Sequence, residues 1–234
     1  MSGVRRSFDL FEAFRAEGSD PDAFYGMLAQ DVVDTISRRC EVAGAVFVDV
    51  GGGTGHVATA MHQAGARSAS IDLQHEGQNI GARLVADGRR LPIGSARVDI
   101  GHCSNVLEHV ADPWSVLSEL TRIVKPGGMM FVSFTNWYSP WGGHESSPWH
   151  YAGGRYAARR YERRTGVAPK NLYGTSLFPL HIGSVLRKLR RSDDIDVLDA
   201  FPRYYPGWTR RVVAVPGLRE VFTWNLALVL RRAR

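Results

Sequence analysis

Residues 46–55 read Val-Phe-Val-Asp-Val-Gly-Gly-Gly-Thr-Gly, and this stretch decides the fold of the chain. The nearly unbroken apolar run from Val46 to Val50 is typical of an inner strand of a parallel sheet. The glycines that follow let the backbone turn with positive φ and come close to a ligand. A helical pattern from His56 to Ala64 begins at once, and the free N–H groups at its start favour a nucleotide-type ligand. The sequence therefore predicts a strand, a glycine loop and a helix with a binding site between them.

The spacing of the glycines separates two classes of nucleotide site. A dinucleotide fingerprint needs G-x-G-x-x-G, but the sixth position counted from Gly51 is His56. The glycines fall instead as G-x-G-x-G, with Asp49 two residues before them. This pattern resembles the first motif of the class I S-adenosylmethionine-dependent methyltransferases. The resemblance implies a loop that lies under the methionine and ribose of the cofactor, with the acidic residue organising it. An ordinary glycine-rich turn of a Rossmann-like fold is the alternative.

Further cofactor residues are predicted at the ends of the next strands. Asp72 ends the predicted strand from Ser68 to Leu73, where a carboxylate can accept hydrogen bonds from ribose hydroxyls. The third strand and its exit turn are predicted over 84–88. The resemblance implies that Asp87 meets the adenine amino group there, although Asp-Gly also favours a plain turn. The whole predicted cofactor set is Asp49, Gly51, Gly52, Gly53, Gly55, Asp72, Leu73, Asp87, Gly88 and Asn105.

The segment after the fourth predicted strand, Val98 to Cys103, bears on the acceptor. Residues 105–110 read Asn-Val-Leu-Glu-His-Val and resemble the corresponding segment of small-molecule methyltransferases. The Asn/Asp-Pro-Pro-Tyr/Phe tetrapeptide of enzymes that methylate exocyclic or amide nitrogens is not found there, which argues against base-amino and glutamine methylation. His109 is a candidate base, but in relatives with this Glu-His pair it more often faces the adjoining helix and the cofactor edge.

Residues 136–151 predict an aromatic lid at the same edge of the sheet. They combine five large aromatic residues with two histidines and a glutamate among turn formers, and long irregular segments at this edge are often functional. His144, Glu145 and His150 are the candidates for a general base. No metal is predicted, because the histidines of H-E-x4-H have no helical register and no third strong ligand is near in sequence. A purely structural lid is the alternative.

The order of elements predicts an α/β, doubly wound fold. The resemblance implies a Rossmann-like seven-stranded sheet with an antiparallel last strand. Helices are predicted over 7–16, from Pro21 to Arg39, over 114–123 and over 182–191, a short one in 74–84 and a basic one within 152–175. The last two strands are expected from Ile195 to Tyr205 and from Val221 to Arg231. The predicted single domain divides into an N-terminal helical cover (1–43), a cofactor-binding core (44–135), an insertion that holds the lid and contacts the substrate (136–181), and a C-terminal helix and strand hairpin (182–234).

Composition and charge limit the compartment and the partners. The two cysteines and the start of the chain, which has no apolar signal segment, favour the cytoplasm, and no apolar run approaches the roughly 20 residues that span a bilayer. Residues 1–150 hold 12 Lys and Arg against 17 Asp and Glu, whereas residues 151–234 hold 17 against 6. This positive C-terminal third suits an anionic substrate or peripheral contact with an anionic membrane at its inner face. A merely solvated surface is the alternative, and nucleic acid is not expected.

The predicted function is S-adenosylmethionine-dependent methyl transfer to an oxygen of a small-molecule, glycan or lipid acceptor. Two other classes remain: a non-catalytic module that binds the cofactor, and an RNA methyltransferase that uses the basic C-terminal surface. The intact glycines and carboxylates argue against loss of cofactor binding. Nearly the whole chain resembles uncharacterised actinobacterial methyltransferases, a resemblance that supplies no substrate.

Overall fold

A seven-stranded sheet in the order β3-β2-β1-β4-β5-β7-β6 forms the centre of the computed structural model, which describes residues 3–16, 20–74 and 81–234. Strands β1 to β5 are parallel, while β7 runs antiparallel to both β5 and β6. The α/β fold with an antiparallel last strand is therefore confirmed. The strands are β1 Val46–Val50, β2 Arg67–Asp72, β3 Ala82–Val85, β4 Val98–Ser104, β5 Val124–Thr135, β6 Ile195–Pro202 and β7 Asn225–Arg232.

Helices cover both faces of the sheet. Leu120 and Val185 belong to one buried cluster with Val48 of β1, whereas Ile36 belongs to a second cluster with Phe47 of the same strand. Successive side chains of a strand point to opposite faces, so the two clusters are the two halves of a doubly wound core. The helices are α1 Gly3–Ala16, α2 Pro21–Ser37, α3 His56–Gln63, α4 Pro113–Ile123, α5 Gly154–Thr165, α6 Ile182–Leu189 and α7 Leu218–Phe222.

Helices α2 and α4 each begin at a proline that follows an aspartate. The Asp20 carboxylate accepts a hydrogen bond from the Ala23 N–H at the start of α2, and Asp112 does the same for the Trp114 N–H of α4. Such caps satisfy N–H groups that have no partner inside the helix. The predicted starts of these helices are accurate to one residue.

The C-terminal boundaries differ from the predictions. The last strand begins at Asn225 and not at Val221, because Val221 and Phe222 belong to α7. Glu220 of α7 accepts hydrogen bonds from the N–H groups of Ile182 and Gly183 at the start of α6, a tertiary contact with no local sequence signal. The preceding strand ends at Pro202.

Three other boundaries also move. The basic helix α5 ends at Thr165, before Gly166 in the left-handed conformation. Strand β3 begins at Ala82, so the end of the short helix predicted in 74–84 is strand, and residues 75–80 of that prediction lie outside the described part of the chain. No helix within residues 3–16, 20–74 and 81–234 is long and apolar enough to cross a membrane.

Candidate active site

A cavity of about 690 Å³ opens at the carboxyl ends of β1, β4 and β5. Its lining includes the glycine loop after β1, residues of helices α1 and α2, the end of β4 with the residues after it, and part of the irregular segment 136–153 after β5. Residues 170–171, 203–204 and 224 also belong to the lining. The volume lies in the range of about 300–1,000 Å³ that is usual for small-molecule and cofactor sites. Ligands of open α/β sheets bind at this edge.

The glycine loop is shaped so that its backbone faces the cavity. A Cβ atom on Gly52 would lie 2.3 Å from Ser70 Oγ and 2.8 Å from Asp49 Oδ2, so no larger residue fits. Gly53 has a φ of 50°, and its N–H donates to Asp72 Oδ2 at 2.8 Å. The other oxygen of Asp72 accepts from the Leu73 N–H at 2.7 Å. Asp72 therefore fixes the path of the loop from the end of β2.

A buried polar network lies beneath the loop. Asp49, which is 2% exposed, pairs with His102 Nδ1 at 2.6 Å. His102 Nε2 contacts Ser104 Oγ at 2.7 Å, and Arg203 Nη1 donates to Ser104 Oγ at 3.4 Å and to Ser133 Oγ at 3.1 Å. The network joins the ends of β1, β4, β5 and β6 and ties Asp49 to the floor of the cavity.

Aromatic side chains form the wall opposite the sheet. The ring centroid of Trp224 lies 4.4 Å from that of Phe14 of α1 and 4.3 Å from that of Trp141. Phe24 and Tyr25 of α2 also line the cavity. Rings in such contact exclude water and contribute beyond their buried area.

Two acidic and two imidazole groups meet on the side of the cavity formed by the lid. Glu108 Oε1 accepts a hydrogen bond from the Thr135 N–H at 2.7 Å, while Glu108 Oε2 has no hydrogen-bond partner among the described residues. Burial raises the pKa of Glu108, against a lowering contribution from His109. His109 Nδ1 donates to the Ser176 carbonyl at 2.7 Å.

His144 and Glu145 enter the same cluster from the lid. His144 Nε2 lies 3.4 Å from His109 Nε2, and the φ of His144 is 49°. Burial, and then the charge of His109, lower the pKa of His144 to about 4, with an opposing contribution from Glu145. Glu145 Oε1 accepts from Asn171 Nδ2 at 2.8 Å, and its buried Oε2 finds no donor within the described part of the chain.

Comparison with known proteins identifies the family. A family model described as a methyltransferase domain matches residues 48–132. An uncharacterised methyltransferase of Mycobacteroides abscessus is 42% identical over 97% of this chain and 94% of its own length, and one of Mycolicibacterium vanbaalenii is 43% identical with the same coverage. The chain belongs to the S-adenosylmethionine-dependent methyltransferases.

Solved structures share the methyltransferase fold. An S-adenosylmethionine-dependent methyltransferase of Mesorhizobium loti superposes with a TM-score of 0.59 at 19% identity, over 86% of this chain and 96% of the other. The magnesium protoporphyrin IX methyltransferase of Synechocystis with bound S-adenosylmethionine gives a TM-score of 0.54 at 14% identity, over 89% and 79%. At these identities the likeness shows the fold alone.

The cavity of this methyltransferase fits its cofactor, S-adenosylmethionine. Gly52 has no side chain, and a Cβ atom there would clash with Asp49 and Ser70. The backbone of the loop can therefore pack closely on β1 and β2 beside the cavity. The five predicted cofactor residues that line the cavity are Asp49, Gly51, Gly52, Gly53 and Asn105. The glycine loop and Asn105 thus lie together with the buried carboxylate in one cavity, and their contacts with the cofactor stay a prediction.

The other predicted cofactor residues lie outside the lining. Among the described residues, Gly55, Asp72, Leu73, Asp87 and Gly88 do not line the cavity of the methyltransferase. Asp87 Oδ1 accepts from the Arg89 N–H at 2.9 Å and its Oδ2 from Arg89 Nη2 at 2.6 Å. The side-chain hydrogen bond from Arg89 lowers the pKa of Asp87. The turn-forming role of Asp87 is observed, and its contact with adenine stays a prediction.

His150 is separated from the other two lid candidates. His144 and Glu145 line the cavity, but His150 does not. Its side chain is 1% exposed, its Nε2 lies 3.2 Å from the Ser139 carbonyl oxygen, and its ring packs edge-on against Trp137 at 5.2 Å. Burial lowers its pKa. His150 thus packs inside the lid, and its catalytic role stays a prediction.

Sequence reasoning missed three groups of the methyltransferase site. His102 could have been noticed, because it interrupts the apolar strand β4. Arg203 gives no such signal, since it follows β6 about one hundred residues later in the chain. Glu108 was noted only as part of a motif, yet one of its carboxylate oxygens lies within 4.8 Å of a nitrogen of His109 and of a nitrogen of His144, which comes from a distant segment. Glu108 is therefore a possible further metal ligand that lies close to His144 in the fold, although it is distant from His144 in the sequence.

Proposed function

We propose that this methyltransferase acts on an oxygen, a hydroxyl or carboxylate, of a small-molecule, glycan or lipid acceptor. The observation that carries the proposal is Oε2 of Glu145, which has no hydrogen-bond partner among the described residues and belongs, with His144, to the lining of the cavity. A hydroxyl nucleophile must lose a proton, and a carboxylate or imidazole at the cavity wall can take it. The aromatic wall suits an acceptor with apolar parts.

The proposed cofactor contacts follow from the loop. Gly51, Gly52 and Gly53 line the cavity, which supports their role under the methionine and ribose. Asp72 already accepts two backbone N–H groups, and an ionised carboxylate has about four acceptor positions. Two positions remain for ribose hydroxyls. Leu73, Asp87 and Gly88 complete the proposed adenosine side.

The chain's own residues would contribute mainly positioning. When bound, S-adenosylmethionine supplies a methyl group on an already activated sulfonium. The loop and the aromatic wall of Phe14, Trp141 and Trp224 hold the reactants in line and exclude water. A base adds about 10²–10⁴-fold for a hydroxyl acceptor. Glu145, oriented by Asn171, is the proposed proton acceptor, with His144 beside it.

The experiment follows the methyl group. We expect S-adenosylmethionine labelled on its methyl to label the small-molecule or lipid-soluble fraction of a mycobacterial extract in the presence of the protein. The product should be a base-labile methyl ester or a base-stable methyl ether, as mass spectrometry of the purified product would show. Label that is found in RNA and released by ribonuclease, or a methyl group carried on nitrogen, would overturn the proposal.

A substitution tests the proton acceptor once a labelled acceptor has been purified. Glu145→Gln should lower kcat by about 10²-fold or more, the size expected for loss of a general base. Glu162→Gln on the exposed side of α5 is the matched control and should leave kcat unchanged. Cofactor binding, followed by calorimetry, should be the same in both variants. An unchanged kcat in Glu145→Gln would remove Glu145 from the chemistry.

A peripheral contact with anionic lipid is the proposed partner of the C-terminal surface. Its support is a set of exposed apolar side chains between residues 207 and 222. This range holds the turn 207–214 and α7, two elements that contact each other. Trp208 is 76% exposed and Phe222 is 60% exposed, and Arg211, three residues after Trp208 in the chain, is also exposed. Aromatic and basic side chains together suit the boundary between lipid headgroups and acyl chains. The set consists of Trp208, Val215, Leu218, Val221 and Phe222.

A further inference from the structure

Three ligand-type side chains converge on one point of the cavity wall. One nitrogen of His109, one nitrogen of His144 and one carboxylate oxygen of Glu108 all lie within 4.8 Å of one another. Two imidazole nitrogens that bind one tetrahedral Zn²⁺ at about 2.0–2.1 Å lie roughly 3.3–3.4 Å apart. The two Nε2 atoms are 3.4 Å apart. Their separation is that of two ligands of a single ion.

The carboxylate supplies an independent sign of a ligand. Glu108 is 1% exposed, and its Oε2 has no donor in residues 3–16, 20–74 and 81–234. Leaving a buried carboxylate oxygen without a partner costs free energy, so a buried acidic side chain normally pairs with a cation or a donor. Glu108 Oε1 is fixed by the Thr135 N–H, which leaves Oε2 as the atom with no assigned partner.

The histidines are held as metal ligands usually are. The Nδ1–H of His109 donates to the Ser176 carbonyl, and this hydrogen bond leaves the lone pair on Nε2, the atom that faces His144. His144 has a φ of 49°, in the left-handed region that histidine, asparagine and aspartate enter more often than other non-glycine residues.

We propose that Glu108, His109 and His144 bind one divalent transition-metal ion, with Zn²⁺ favoured, at the lid side of the methyltransferase cavity. Two imidazoles and one carboxylate are a donor set that first-row metals accept, and Zn²⁺ binds more tightly than Mn²⁺, Fe²⁺ or Co²⁺ in most such sites. Three protein ligands leave the fourth position open, which is the arrangement of catalytic sites and not of structural ones.

The open position gives the ion a place in the reaction, and this part rests on the proposed O-methylation. An acceptor hydroxyl bound at that position would lose its proton more easily, just as a water molecule bound to Zn²⁺ has a lowered pKa. Its proton would pass to the Glu145 carboxylate. An oxygen lone pair would then form the C–O bond as the C–S bond breaks, and the electron pair of the broken bond would leave on sulfur as a neutral thioether.

Metal binding can be measured without an acceptor. The full chain, freed of any affinity tag and stripped with a chelator, is dialysed against Zn²⁺ and analysed by elemental mass spectrometry. We expect one ion per chain. Titration with Co²⁺ gives an independent readout, because d–d absorption bands in the visible report ligation by nitrogen and oxygen.

Substitutions assign the ion to the three residues. Glu108→Gln, His109→Ala and His144→Asn should each weaken Zn²⁺ binding by about tenfold or more, since removing a ligand costs at least as much as removing its outer hydrogen bonds. Asparagine is used at 144 because it tolerates positive φ. His62→Ala on the exposed side of α3 is the control and should bind like the unchanged chain. Calorimetry with S-adenosylmethionine shows whether each variant is folded.

The outcomes separate this inference from the proposed function. Fewer than one ion per unchanged chain, or equal Zn²⁺ affinity in the three variants and in His62→Ala, would overturn the metal site. If oxygen methylation still occurs in that case, the proposed function stands without the ion. If the ion binds as expected and the methyl group is found on nitrogen, the metal site stands and the proposed function falls.

Discussion

At the scale of single residues, Asp72 gives the sharpest test of the cofactor site. Asp72→Ala removes the acceptor of the Gly53 N–H and the proposed acceptor of the ribose hydroxyls. We therefore expect it to weaken S-adenosylmethionine binding by about tenfold or more, the size of one to two hydrogen bonds to a charged group. Calorimetric titration with S-adenosylmethionine and S-adenosylhomocysteine measures this.

The control for Asp72 is Asp196→Ala, which removes an exposed carboxylate from β6. It should bind both ligands with the affinity of the unchanged chain. If Asp72→Ala binds as tightly as Asp196→Ala, the carboxylate neither orders the loop nor contacts the ribose.

Residues of the site were predictable where their signal is local. Asp49 and the glycines belong to one contiguous motif, and the glycines directly predict the backbone conformation of the loop. Glu108 and His144 lie 36 positions apart, and the fold alone brings them together. No pattern in either segment tells which distant side chain will face it. For this reason no third metal ligand was found near the lid histidines and no metal was predicted, and His150 was grouped with His144 because the two are close in sequence.

At the scale of elements, replacing two glycines by alanine distinguishes the effect of close packing on stability from the effect of backbone entropy. Gly52→Ala drives a Cβ into Ser70 Oγ and Asp49 Oδ2, so we expect the free energy of unfolding to fall by about 1–3 kcal/mol. Gly26 lies within α2, and no atom of the described residues comes within 4 Å of an added Cβ there. Gly26→Ala should raise the free energy of unfolding by about 0.5–1 kcal/mol, because alanine favours the helix.

Urea unfolding followed by circular dichroism measures both changes. Both variants add one methyl group to the chain. If the free energy of unfolding falls for Gly52→Ala and rises for Gly26→Ala, the difference must come from the surroundings of the two glycines. A Gly52→Ala protein as stable as the Gly26→Ala protein would mean that the loop can move away from β2, and that the position of the loop is not fixed by packing.

The boundaries of helices and strands were predictable where residues adjacent in the sequence determine them. The pairs Asp20-Pro21 and Asp112-Pro113 start helices because the carboxylate caps the first turn and proline suits it. The residues Val221 and Phe222 read as strand, since they are apolar and precede a buried strand. They are helical and exposed instead, and what holds α7 is the contact of Glu220 with the start of α6. Tertiary contacts of this kind override local propensity.

At the scale of the whole molecule, the alternation of strands and helices was enough for the parallel part of the sheet. Parallel strands need crossover helices, and the connections have one preferred hand. The path of residues 136–153 does not follow from such rules, because it has no regular hydrogen-bond pattern. Its course depends on aromatic contacts such as that between Trp141 and Trp224, which involve segments more than 80 residues apart. The fold was thus set by repeating units and the lid by individual contacts.

The charge of the C-terminal third and the exposed apolar side chains between residues 207 and 222 predict binding to anionic vesicles. The chain should co-sediment with vesicles that contain phosphatidylglycerol and not with pure phosphatidylcholine, and added salt should weaken binding because surface charges are screened. Replacing Trp208 and Phe222 together by alanine should weaken binding by about tenfold or more, since both side chains would lose apolar burial in the headgroup region. Tyr156→Ala, which removes an exposed aromatic ring from α5, is the control. Equal binding of the double variant and the control would assign the contact to charge alone, and equal binding to both kinds of vesicle would leave the arginines without a role in it.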